Sequence, residues 1–115
     1  MAEAVFSVSF AGPLVTFQDA GRPGNMRCGV PASGPMDRLA LEAAHAALGN
    51  AADQSAIEIS LGGLVLQCTD SAVIVSITGG DFVIQHGGQK FTSWTVLTVR
   101  KGERLSISAG KAGSW

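Results

Sequence analysis

A chain of 115 residues is long enough to bury one hydrophobic core of ordinary size. Apolar residues make up 46% and charged residues 15%, with a net charge of −1, which excludes a disordered tail and gives no electrostatic pull toward nucleic acid or a membrane surface. The opening residues carry no basic region, and no apolar run reaches the length of a secretory signal or a membrane span, so the chain is read as cytoplasmic.

Val5–Phe10 alternates apolar and small residues, the period of a half-buried strand, and Leu14–Phe17 reads as a second strand after Gly12-Pro13. A glycine- and proline-rich loop from Asp19 to Pro35 follows, of a length that in compact domains usually serves function. One helix is expected over about 36–49. Met36, Leu39, Ala40, Ala43, Ala47 and Leu48 recur at helical spacing, with Ser33 or Gly34 as its cap, Pro35 in its first turn and Gly49-Asn50 as its stop. Beyond it come strands at Ile57–Leu61, Leu64–Cys68, Ala72–Ile77 and Phe82–Gln85, with a hairpin turn through His86-Gly87-Gly88-Gln89. Thr95–Val99 and Arg104–Ser108 are expected to pair with each other around Lys101-Gly102-Glu103. Evenly spaced strands with one inserted helix predict a mostly β fold, a barrel or β-roll. Trp115 follows a glycine-rich turn as if opening a further strand, so residues 1–115 are read as a single β-rich domain, the N-terminal fragment of a longer protein.

Cys28 and Cys68 are the only cysteines and form no CxxC pair, so free thiols are expected. A zinc site from Cys28, His45, Cys68 and His86 has no close ligand pair to seed it, and no metal is expected. The Gly-Gly pairs lack the GxxxxGK[ST] arrangement and precede no helical pattern, so they read as turns rather than phosphate cradles.

Three stretches in order, Phe17-Gln18-Asp19-Ala20-Gly21-Arg22-Pro23-Gly24, Gly29-Val30-Pro31-Ala32-Ser33-Gly34-Pro35-Met36-Asp37, and Leu48-Gly49-Asn50 followed by Ala56-Ile57-Glu58, together resemble the A-domain end of one family. It contains urea carboxylase carboxyltransferase domains, allophanate hydrolase subunit 2, the 5-oxoprolinase C subunit and the Kip-type antagonist. Thr78-Gly79-Gly80-Asp81-Phe82 is similar to that family's T-G-A-D-F. The resemblance implies a cyclophilin-like β-barrel in a longer two-unit protein, and a small amide- or urea-like substrate. It also implies a partner subunit of the Kip-inhibitor or allophanate hydrolase subunit 1 type. In that family one branch moves a carboxyl group from carboxybiotin to urea, and another opens 5-oxoproline with ATP. Biotin or ATP would then belong to the full assembly, with no cofactor bound by this fragment.

The candidate substrate-binding residues are Asp19, Arg22, Ser33, Gly34, Asp37 and His45, with Asp37 the candidate catalytic group. Asp19 and Arg22 can form an ion pair that fixes the loop, or Arg22 can fork onto a carboxylate or ureido oxygen. The Ser33–Asp37 stretch can cap the helix, or its N–H groups can form an oxyanion site with Asp37 anchoring substrate N–H groups. His45 stands where the family usually has asparagine; it is either a partly exposed helix residue without a role or a substrate contact that titrates. Glu58, opposite in alternation to Ile57 and Ile59, is either a solvated strand residue or a structural acid that receives the helix or loop, the second being the preferred reading. The competing function is a non-catalytic regulatory protein of the Kip-type antagonist class, and a plain structural β-module is a third. An unfinished barrel would leave an open sheet edge, so self-association into a homo-oligomer or a partner subunit is expected.

Overall fold

The computed structural model describes residues 5–18, 37–51, 54–60 and 63–110. In chain order these form β1 (Phe6–Ala11), β2 (Thr16–Gln18), α1 (Arg38–Leu48), β3 (Ala56–Glu58), β4 (Leu64–Cys68), β5 (Val73–Ile77), β6 (Phe82–His86), β7 (Gln89–Thr92), β8 (Thr95–Val99) and β9 (Arg104–Ala109). A five-stranded sheet runs β1-β4-β9-β6-β7, and β2-β3 and β5-β8 form two-stranded sheets. The fold is therefore mostly β with one helix, and among the described residues the sheets do not close into the expected barrel.

The core lies where alternate residues of the large sheet meet β5 and β8. Cys68, Phe82, Ile84, Leu105 and Ile107 come from β4, β6 and β9, and Ile77 and Val99 from the smaller sheet, with Val73, Val75 and Leu97 packed against them. Period-two burial along β4 and β9 puts their even-numbered and odd-numbered residues respectively into that core. Cys68 is fully buried as a free thiol, its Sγ 3.2 Å from the Ser71 carbonyl. Cys28 lies outside the described residues.

The expected pairing of Thr95–Val99 with Arg104–Ser108 does not occur. β8 pairs antiparallel with β5, whereas β9 runs between β4 and β6. Lys101-Gly102-Glu103 is a turn, with Gly102 at φ 85° and the Glu103 N–H on the Arg100 carbonyl, but it carries the chain from one sheet to the other. Backbone bonds from Cys68 to Glu103 and from Gly102 to Cys68 tie this crossing to the end of β4. The Gly87-Gly88 turn does make the expected hairpin, with His86 opposite Gln89 and both glycines at positive φ.

The first strand is less buried than its alternation predicts. β1 is the edge of the large sheet, and its register slips between Val8 and Phe10, leaving these side chains 60% and 53% exposed. The bulged residue shifts Phe10 to the other face relative to Val8, while Val8, ahead of the bulge, is exposed because β1 is the edge strand.

Two glycines separate conformational from steric constraint. Gly49 has φ 70° and open space where a Cβ would stand, whereas a Cβ on Gly63, at φ 79°, would lie 2.5 Å from the Ile107 carbonyl oxygen of β9. Gly49→Ala should cost about 1–2 kcal/mol, the left-handed backbone penalty alone, and Gly63→Ala clearly more; urea unfolding of the two variants measures the difference. Glu103 gives a pH signature. Its carboxylate accepts the Arg100 N–H and is paired with His86 at 3.0 Å, and these contacts, the backbone bond foremost, hold its pKa below the ordinary 4.5. A depressed carboxylate stabilises the fold above its unfolded-state pKa and loses that contribution as pH falls through the folded-state value. Glu103→Gln should therefore flatten the stability profile below about pH 4.5, as read by thermal melts.

Candidate functional site

Asp37 sets where the helix begins. Its backbone is extended, at φ −119° and ψ 93°, and its Oδ1 accepts the Ala40 N–H at 3.0 Å. The N-cap is thus Asp37 itself rather than Ser33 or Gly34, and α1 starts at Arg38, two residues later than expected. At the other end Gly49 adopts the left-handed conformation and closes onto the Ala46 and His45 carbonyls. The capping carboxylate brings negative charge to the N–H end of α1, which disfavours the oxyanion site considered there and favours ligand N–H groups instead.

α1 is fixed to the small sheet by two hydroxyls. Ser76 Oγ donates to the Ala44 carbonyl at 2.8 Å and Thr78 Oγ1 to the Ala40 carbonyl at 2.6 Å. His45, on the same helix, is only 5% exposed, and its Nε2–H donates to the Gln54 carbonyl at 2.9 Å. It is a buried tether for the chain after the helix rather than a partly exposed residue, the first of the two alternatives set out for it, and it lines no part of the cleft described next. The sequence signal for burial was present: His45 lies one turn on from Leu41.

Between α1, the β2-β3 ribbon and the start of β6 lies a cleft of about 120 Å³. Gln18 and Glu58 stand on the ribbon, Asp37, Ala40 and Leu41 on the helix, and Ser76, Ile77, Thr78 and Phe82 on the side of the sheets. Register accounts for the ribbon's contribution. Thr16 is opposite Glu58 and Gln18 opposite Ala56, so Gln18, Ala56 and Glu58 share one half-buried face, while Phe17 and Ile57 share the other and are 79% and 42% exposed. Gln18 Nε2 donates to Thr16 Oγ1 at 3.0 Å, and its Oε1 remains a further acceptor. The floor is apolar, with Phe82 buried and its N–H held by Ser93 Oγ at 3.1 Å.

Of the residues singled out from the sequence, Asp37 lines the cleft and His45 does not. Asp19, Arg22, Ser33 and Gly34 lie outside the described residues. Gln18, Glu58, Thr78 and Phe82 were not named as site residues, although each sits inside a stretch that carried the family resemblance. Among the described residues no group of three or more His, Cys, Asp or Glu side chains could hold a metal ion. No helix among them is long and apolar enough to cross a membrane.

The family described as carboxyltransferase domain, subdomain A and B, matches residues 28–115. Over 100 residues the chain is 35% identical to the 5-oxoprolinase C subunit of Haemophilus influenzae, covering 87% of this chain and 32% of that protein. Over 109 residues it is 34% identical to urea amidolyase of Saccharomyces cerevisiae, covering 92% of this chain and 6% of that one. The crystal structure of Kluyveromyces lactis urea carboxylase superposes with a TM-score of 0.85 at 32% identity, over 96% of this chain and 10% of that chain. That of TTHA0988 superposes with a TM-score of 0.88 at 22% identity, a likeness of fold, over 97% of this chain and 41% of that chain. The chain spans about a third of the length of the 5-oxoprolinase protein and a small part of the urea enzymes.

The cap and the hydroxyl bonds make separable predictions. Asp37→Ala should lose about 1 kcal/mol, whereas Asp37→Asn should stay close to the parent, since asparagine caps as well as aspartate. The Ser76→Ala/Thr78→Val double variant should release α1 selectively. Amide exchange in 38–48 should rise about tenfold or more if each lost bond is worth about 1 kcal/mol, with exchange in β4, β6 and β9 unchanged.

Proposed function

The chain belongs to the carboxyltransferase domain family, subdomains A and B, and on that premise we propose that it forms one wall of a site for a small amide- or urea-like substrate. In this reading it is a component of an enzyme of the 5-oxoprolinase, allophanate hydrolase or urea carboxylase kind. A partner subunit or domain completes the site.

One observation carries the proposal. The separate stretches that resemble the family converge on a single cleft: Gln18 from the first, Asp37 from the second, Ala56-Ile57-Glu58 from the third, and Thr78 and Phe82 from Thr78-Gly79-Gly80-Asp81-Phe82. Gln18 and Asp37, the residues just before and just after 19–36 in the sequence, both line the cleft. That supports Asp19, Arg22, Ser33 and Gly34 as further contributors. Asp37 Oδ1 and Oδ2 and Gln18 Oε1 offer acceptors above an apolar floor, which suits a ligand with N–H groups on a planar amide.

Carboxybiotin or ATP would be handled by the rest of the assembly, in a cytoplasmic setting. Neither the N-terminus of α1, already closed by a carboxylate, nor the Gly79-Gly80 and Gly87-Gly88 turns, which lead into strands, forms a helix-terminus cradle for nucleotide phosphates. The wholly regulatory reading shares the same motifs and predicts partner binding without any ligand in the cleft.

The test is a titration of the isotope-labelled chain with urea, allophanate and 5-oxoproline, followed by NMR. Saturable shifts are expected at Gln18, Asp37, Glu58 and Thr78 for one of them, weakened at least severalfold by Asp37→Asn, which keeps the helix cap. The chain alone should turn over none of the three. Shifts confined elsewhere, or binding indifferent to Asp37→Asn, would remove the substrate reading, and turnover by the chain alone would show that no partner is needed to complete the site.

A further inference from the structure

At the far end of β6 from the cleft, the hairpin tip and the start of β9 enclose an open groove of about 480 Å³ that shares no lining residue with the cleft. Its walls carry Gln85, His86, Lys90, Glu103, Arg104 and Ser106. The register explains why these side chains gather. Gln85 is opposite Lys90 on β7 and opposite Ser106 on β9, and Arg104 lies two residues from Ser106. All four therefore project from one face of the sheet, the reverse of the face on which Ile84, Phe91, Leu105 and Ile107 meet the core.

The charge of the groove is not balanced. Its one carboxylate, that of Glu103, is already engaged by His86 and by the Arg100 N–H. Lys90 and Arg104 have no carboxylate partner among the described residues, and they flank a floor made by the Gln85 amide and the Ser106 hydroxyl. Adjacent strands lie about 4.8 Å apart and alternate residues of a strand about 6.6 Å apart, so Lys90 on β7 and Arg104 on β9, two strands apart and offset by two residues, have backbones about 12 Å apart across the groove. Their long side chains can close on one ligand between them. Gly87 and Gly88, with open space where a Cβ would stand, leave the mouth of the groove clear.

We propose that this groove is a second binding site, for a small oxyanion presented as a phosphate or a carboxylate group. Arg104 would grip two of its oxygens through the guanidinium fork, Lys90 would add a point charge, and Gln85 and Ser106 would donate hydrogen bonds from the floor. The site is independent of the cleft, so its occupancy does not depend on the substrate reading above.

The test uses the labelled 115-residue chain, titrated with inorganic phosphate or with acetate at constant ionic strength made up with sodium chloride. Saturable shifts at Gln85–Lys90 and Arg104–Ser106 are expected, with Gln18 and Thr78 unmoved. Lys90→Ala and Arg104→Ala, both at exposed positions, should each weaken binding severalfold without changing the melting temperature, and together they should abolish it. The stronger of the two arms identifies the group as phosphate or carboxylate. Shifts that rise without saturation in both arms, spread over the whole surface, or persist in the double variant would overturn the proposal.

Discussion

The structure around the cleft depends on a match between two repeats. Alternate residues of a strand are about 6.6 Å apart, and residues one helical turn apart are about 6.0 Å. Ser76 and Thr78 on the sheet therefore meet Ala44 and Ala40 on the helix in step, each hydroxyl reaching a helix carbonyl that also serves the helix's own ladder. An isolated helix of eleven residues is marginal in water. α1 buries only Ala40, Leu41 and His45, and Leu39 stays 71% exposed, so apolar burial alone is thin. The two hydroxyl bonds and the His45–Gln54 tether supply direction as well as free energy. They turn the capped end of α1, with Asp37, toward Phe82 and the ribbon.

Polar groups in the cleft are consequently fixed by structural duties. Asp37 caps, Thr78 docks the helix, and Gln18 bonds Thr16. Each retains further hydrogen-bonding capacity, because a carboxylate, a hydroxyl and an amide oxygen all accept more than one bond. A side chain held by one bond and open to another is pre-positioned for a ligand without loss of rotamer freedom at the moment of binding. The alternatives set out for Asp37, cap or substrate group, are thus compatible in one residue.

Strand positions were legible in the sequence because they depend on local alternation. Leu64–Cys68 and Thr95–Val99 are strands residue for residue. Strand partners were not legible, since β4 pairs with residues some forty positions away and the turn after β8 looks the same whether it closes a hairpin or changes sheets. The helix was legible in its existence and its Gly49 stop, but not in its buried face, which is Ala40, Leu41 and His45 while the expected Leu39 is exposed. Its start was misplaced because several residues from Ser33 to Asp37 are competent caps and only the backbone angle at Asp37 decides among them. Each of the quoted stretches contributes a lining residue to the cleft. Which members face the cleft was set by the β2-β3 register and by α1 docking, neither of which is written in local spacing.

The β2-β3 ribbon is amphipathic in an unusual sense. Its half-buried face carries Gln18, Ala56 and Glu58, and its outer face carries Phe17 and Ile57. A ribbon serving only its own domain would place the aromatic and the isoleucine inward. Exposed Val8, Phe10 and Leu14 lie in the same N-terminal stretch, next to the edge of β1 that is unpaired among the described residues, and the six residues of β1 include no charge and no proline to discourage pairing. The opposite edge, β7, does carry a lysine, Lys90. This one-sided lack of protection supports the proposal that another domain or subunit covers this side. Gln18 and Glu58 line the cleft, Phe17 does not, and Ile57 both touches the cleft and stays partly exposed, an arrangement that lets ligand and partner approach the same ribbon from different sides.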